Sequence, residues 1–142
     1  MAPGVVAELP PTFAWHTKAM PHSKASLLKA VREHCLALPE VNERLSHGAP
    51  TLFIRDKKSF VTVWIDGHHD SHVAQLWCAC DTELRAHLIE VQPEFYFVPP
   101  YVGHRGWIGA RLVPTSDLEE LTNLLEYAYR LVAPASLVKL LD

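Results

Sequence analysis

The runs Phe60-Val61-Thr62-Val63-Trp64-Ile65-Asp66 and Val73-Ala74-Gln75-Leu76-Trp77-Cys78-Ala79-Cys80 carry the pattern that decides the fold. Small and aliphatic side chains alternate in them with aromatic and polar ones, and residues two apart in a strand point to the same side of a sheet. Val61, Val63 and Ile65, with Ala74, Leu76 and Cys78, therefore share one side and are expected to meet helices. The other side collects Phe60, Thr62, Trp64, Gln75 and Trp77. Residues 51–55 read as a strand before the first run, and Asp56-Lys57-Lys58-Ser59 turns the chain between them, giving a hairpin with a basic tip. Asp66-Gly67-His68-His69-Asp70-Ser71-His72 is the second connection, so the three strands form an antiparallel meander.

Helical spacing replaces the alternation on both sides of this meander. Leu27, Leu28, Val31, Cys35 and Leu38 recur at one helix face until Pro39 stops the pattern. Asp81 is placed to cap a second helix over residues 82–91, with Leu84, Leu88 and Val91 on one side, His87 partly buried beside them and Pro93 after the end. Ser116-Asp117-Leu118-Glu119 has the form of a capping box before a third helix, whose stripe is Leu118, Leu121, Leu125, Ala128 and Val132. Two more extended pieces flank the Pro99-Pro100 corner. The order α-β-β-β-α-β-β-α predicts an α+β domain, an antiparallel sheet of about five strands with helices packed on one face. Residues 23–142 are expected to form this single domain, and residues 1–22, with Pro3, Pro10, Pro11 and Pro21 and little periodicity, a flexible arm.

The totals narrow the classes of function. A chain of 142 residues, 49% hydrophobic and 20% charged, has the size and balance of one globular domain and not of a disordered protein. Its formal net charge of −3 gives no global attraction to nucleic acid or anionic membrane, so any phosphate binding must come from a local patch. Apolar stretches end well short of the roughly 18 residues a membrane helix needs. The start of the chain has no basic region followed by a long apolar segment. Three cysteines, with Cys78 and Cys80 one residue apart, argue against a disulfide framework and for a cytoplasmic protein.

The strongest candidate site is the side of the sheet away from the helices. Beyond the Pro99-Pro100 corner, Val102-Gly103-His104-Arg105-Gly106-Trp107 leads into a strand whose alternation puts Arg105, Trp107 and Arg111 on one side and Ile108, Ala110 and Leu112 on the core side. Joined to Trp64, Trp77, Phe53 and Arg55 this makes a face of indoles interleaved with guanidinium groups. Arg55, Lys57, Lys58, Arg105 and Arg111 suit phosphates, and Trp64, Trp77 and Trp107 offer flat surfaces on which bases stack. A protein-binding surface selects the same residue types. Tyr101 and His104 shape a Gly-rich turn that suits a small ligand or an anion.

Other constellations are weaker. His68, His69 and His72 with Asp66 and Asp70 offer metal-type donors, but on a loop with no helical register to make them converge, and a solvated turn is the expectation. Cys80, before a capped helix N-terminus, is the one thiol whose pKa that end could lower. No paired carboxylate or serine accompanies His104, and no phosphate-loop glycine spacing occurs.

Cys35-Leu36-Ala37-Leu38-Pro39-Glu40-Val41, His47-Gly48-Ala49-Pro50-Thr51-Leu52-Phe53, the segment from Pro99-Pro100-Tyr101 through Trp107, and Tyr129-Arg130-Leu131-Val132 together resemble the MmcQ/YjbR-like family, in order and spacing across nearly everything after the arm. The resemblance implies an α+β domain of the frataxin-like (CyaY-like) type, also called a double-wing fold, and a suggested role in DNA binding; it supplies no catalytic residues. The resulting expectation is a binding module and not an enzyme, with DNA as partner, no cofactor, no membrane attachment, and a monomeric or homodimeric state. The rival expectation is a small-ligand protein, or an enzyme, that uses the turn from Tyr101 to Trp107.

Overall fold

Ser23 opens the first helix by accepting a hydrogen bond from the Ser26 amide on its side-chain oxygen at 3.1 Å, the usual way a serine satisfies a free amide of the first turn. The structure, a computed structural model, describes residues 21–69 and 71–142, so the expected arm, all but its last two residues, and Asp70 lie outside the described residues. Helix α1 runs Lys24–Leu36 and buries Leu27, Val31 and Cys35. Four strands follow, β1 (Val41–Ser46), β2 (Ala49–Ile54), β3 (Lys58–Trp64) and β4 (Gln75–Cys78), then helix α2 (Thr82–Val91). Strands β5 (Tyr96–Phe97) and β6 (Ile108–Arg111) precede the long helix α3 (Leu118–Val132) and a short α4 (Ala135–Val138).

The sheet has six strands in the order β1-β2-β3-β4-β6-β5, every neighbouring pair antiparallel. The expected meander is there, and one strand was missed. Val41–Ser46 carries Asn42, Glu43 and Arg44, a polar run that gives little apolar alternation because β1 lies at the sheet edge, where charge is the normal guard against further pairing. His47 and Gly48, both at positive φ (53° and 81°), make the two-residue turn that returns the chain into β2.

The helices lie on one side of the sheet. Val61, Val63, Leu76, Cys78, Ile108 and Ala110 are all fully buried in the common core, as alternation expects. Phe60 is the exception. Pairing between β2 and β3 shifts between Leu52 and Phe53, so that Leu52 faces Val61 while Phe53 faces Ser59 and Phe60 has no partner. This bulge inverts the start of β3. Phe60 therefore points to the helices instead of the open face, where its ring meets that of Tyr129 on α3 edge-on at 5.6 Å. Tyr129 is itself fully buried and donates its hydroxyl to the Pro39 carbonyl at 2.8 Å.

Helix α2 packs less deeply than its pattern suggested. It has no buried residue; Leu84, Leu88 and Ile89 are partly covered, while Val91 and His87 are exposed. His87 is thus a solvent-facing side chain and not a packed one. Polar contacts fasten the helix instead. Asp81 accepts from the Leu84 amide at 2.8 Å and from the Tyr127 hydroxyl of α3, and Gln92 donates to Glu120 of α3 at 3.0 Å. Asp117 caps α3 through the Glu120 amide at 3.1 Å.

Candidate functional site

On the side opposite the helices, Thr51 from β2, Ser59, Thr62 and Trp64 from β3, Trp77 from β4 and Trp107 just before β6 open into one recess of about 780 Å³. Its walls come from three connections: His47 at the β1–β2 turn, Gly67, His68 and His69 between β3 and β4, and Tyr101, Val102 and Arg105 before β6. The volume is that of a small-molecule or cofactor cleft. Trp77 and Trp107 are each 4% exposed and Trp64 is half-buried, so the indoles form the floor of a cleft and not an open flat platform. Trp77 is held in place by donating Nε1 to Gln75 Oε1 at 2.9 Å, and Gln75 in turn donates to the Val73 carbonyl at 3.1 Å. Trp64 Nε1 is buried with no hydrogen-bond partner among the described residues.

Two loops cover the indoles. Gly67 takes φ +87°, and a Cβ there would collide with the Ser71 carbonyl oxygen, so the tight return of this loop depends on glycine. The loop inserts His68. Its ring lies edge-on to Trp64 at 4.6 Å, to Trp77 at 4.7 Å and to Tyr101 at 5.9 Å. Partial burial, and then the neighbouring His69, push the His68 imidazole below its ordinary pKa, which favours the neutral ring. Across the mouth, His69 Nε2 lies 3.3 Å from the Tyr101 hydroxyl. Both of these residues adopt positive φ, 52° and 66°, a left-handed conformation that side chains other than glycine seldom take.

The five expected cations separate into two groups. Lys57, Lys58 and Arg105 make no ion pair among the described residues. They line a second recess of about 440 Å³ with Ser59, Leu131 and Val132; Ser59 and Arg105 line both recesses, so the two are neighbours. Arg105 Cζ sits 5.0 Å over the Trp107 ring. Arg55 and Arg111 are engaged elsewhere. Arg55 occupies the hairpin turn at φ 55° and donates Nε to Glu40 Oε1 at 2.9 Å, which raises its pKa further. Arg111 donates to the Pro93 and Glu94 carbonyls at 3.3 Å and stacks 4.7 Å over Phe97. Tyr101, 70% exposed, stands on the rim, and His104 is exposed outside the recess lining.

No group of three or more histidine, cysteine, aspartate or glutamate side chains is positioned for a metal among the described residues, and His72 is exposed beside the loop. Asp66 pairs with Lys24 at 2.8 Å. Cys78 is fully buried on the helix side, its thiol pushed well above its usual pKa by burial. The same cause raises Cys80, so the helix end does not activate it. Sequence reasoning missed His68 as a member of the aromatic cluster and Arg44, whose guanidinium lies 3.7 Å over Phe53 while it bonds Asp56 at 2.7 Å. Asp66-Gly67 was the available signal for the first, since a tight turn beside a strand end returns the next residues onto the sheet.

These features define a class: an α+β domain with a six-stranded antiparallel sheet, helices on one side, and an aromatic-floored cleft on the other. The YjbR family model matches residues 36–131, and the chain belongs to that family. Among solved structures it is similar to Deinococcus radiodurans protein DR2400, described as a DUF419 domain, with a TM-score of 0.64 and 18% identity over 79% of this chain and 85% of that one. At that identity the likeness shows the fold alone. No curated protein matches the chain.

Proposed function

We propose that the domain is a nucleic-acid-binding module that takes an unpaired base of DNA into the cleft and holds the adjoining phosphates on Lys57, Lys58 and Arg105. One observation carries this reading: the recess floored by Trp64, Trp77 and Trp107 shares two of its lining residues, Ser59 and Arg105, with the recess lined by the two lysines. Stacking on aromatic rings contributes about 1–3 kcal/mol per base, and an indole at the bottom of a cleft reaches only a base that has left its duplex. With a net charge of −3 the protein repels a polyanion overall, so binding depends on this one patch and on salt. Binding by stacking and phosphate contact requires no cofactor.

The cleft's depth, and the engagement of Arg55 and Arg111 in other contacts, support a second reading, in which the ligand is a free planar anion of nucleotide size. Titration of the tryptophan fluorescence with a short single strand, the matching duplex and a mononucleotide, each at two salt concentrations, separates the two. The nucleic-acid reading expects the single strand to bind tightest, with steep salt dependence. Equal affinity for the mononucleotide establishes the second reading, and unaltered fluorescence with all three at low salt overturns both. Arg105→Ala is expected to lower the salt slope for the single strand by about 0.7, the value of one phosphate contact. Arg111→Ala is expected to leave it unchanged.

A further inference from the structure

We propose that His68 occupies, in the ligand-free protein, the position that an incoming base takes, so that binding requires this side chain to leave the cleft. The inference rests on the nucleic-acid reading and names a competitor for the same site within the chain. Three observations lead to it. The imidazole is a planar nitrogen heterocycle lying among the rings proposed to stack on a base, 4.6 Å from Trp64 and 4.7 Å from Trp77. What it leaves unmet is the indole N–H of the neighbouring Trp64, since Trp64 Nε1 has no partner among the described residues and His68 does not supply one. A base carries carbonyl and ring-nitrogen acceptors, and its arrival can satisfy that donor.

The loop that carries His68 is also lightly fastened. Within it run the Gly67 amide to Trp64 carbonyl and Ser71 amide to His68 carbonyl bonds, at 3.2 and 3.1 Å. Among the described residues its side chains bond the Tyr101 hydroxyl across the mouth, 3.3 Å from His69, and Ser71 Oγ accepts from Gln75 Nε2 at 3.5 Å. Lys24 and Asp66, at its base, form an exposed pair of the kind that contributes little. Among the described residues, withdrawal of His68 thus breaks ring contacts and one long hydrogen bond, and leaves the sheet ladder intact. The seated ring acts as a competitor: only the fraction of molecules with the side chain withdrawn accepts ligand, and apparent affinity falls by that fraction.

Substituting His68 gives opposite signs for the two roles it can have. As a competitor, His68→Ala should tighten binding of single-stranded oligothymidylate, by threefold or more where the seated form holds at least about two thirds of the molecules. His68→Phe, which restores a ring without an imidazole, should bring affinity back to the wild-type value or below. As a stacking partner of the base, His68→Ala should weaken binding and His68→Phe should rescue it, and that result overturns the proposal. Helical circular dichroism and melting temperature of both variants confirm that they fold. In the wild type, the His68 ring protons, shifted by the two indoles, should move to solution values on adding the oligonucleotide; ring protons that stay shifted in the complex overturn it as well. If the single strand binds neither wild type nor His68→Ala, the nucleic-acid reading itself fails and the competitor role falls with it.

Discussion

Phe60 shows how much a single residue decides in this sheet. Period-two alternation assigns it to the open face with Thr62 and Trp64, and the bulge opposite Leu52 and Phe53 turns it under α3 instead. Nothing local in the sequence marks a bulge, because it arises from how two strands meet. Phe60→Ala should cost about 3–5 kcal/mol in urea unfolding, the range for a fully buried aromatic, while Tyr129→Phe, which leaves the Pro39 carbonyl without its donor, should cost about 1 kcal/mol. Asp81 acts through charge. The Leu84 amide and then the Tyr127 hydroxyl hold its carboxyl below the usual range, and the same contact pushes Tyr127 up to about 12. A carboxylate whose folded pKa is depressed stabilises the protein above its unfolded pKa, near 4, and the effect is lost as pH falls through the folded value. Asp81→Ala should therefore cost about 1 kcal/mol at pH 7, and its stability should converge with the wild type in acid.

At the scale of elements, the parts legible in the sequence were those whose side-chain types recur with a period. Helix α3 buries Leu121, Leu124, Leu125, Ala128 and Tyr129, and aliphatic side chains alternate with aromatic or polar ones in β3 and β4, so these elements could be placed from spacing alone even though β4 is buried throughout. Strand β1 could not, since Asn42, Glu43, Arg44 and the exposed Leu45 serve an edge and not a core; only His47-Gly48 signalled the turn after it. The basic hairpin tip was found, but the fate of Arg55 depends on Glu40, fifteen residues away, and is invisible to any local pattern. The same limit applies to the cleft: its indoles were read correctly as lying off the helices, whereas the loops that roof them were not. Gly67→Ala tests that roof. The added Cβ strikes the Ser71 carbonyl, so the loop must rearrange; acrylamide quenching of tryptophan fluorescence should rise while the helical circular dichroism stays the same.

For the whole molecule, the order of elements and the family followed from motifs scattered from Cys35 to Val132, because a fold is specified by many weak signals that agree. Among the described residues no helix is long and apolar enough to cross a membrane. All three thiols are enclosed by that fold, and burial raises each pKa, Cys35 to about 12. A thiol-specific disulfide reagent should therefore react with the native protein slowly and in step with unfolding, and rapidly once urea is added; a fast native phase would show a thiol reachable from solvent. Among the described residues the helix-free side of the sheet has no second layer, yet it is not bare hydrocarbon. Arg44, Arg105 and Arg111 lie over Phe53, Trp107 and Phe97, so flat cations serve as a wettable shingle across rings that would otherwise make copies of the protein adhere. Lysine in these places keeps the charge but uncovers the rings, and the triple arginine-to-lysine variant should lose solubility before it loses its fold.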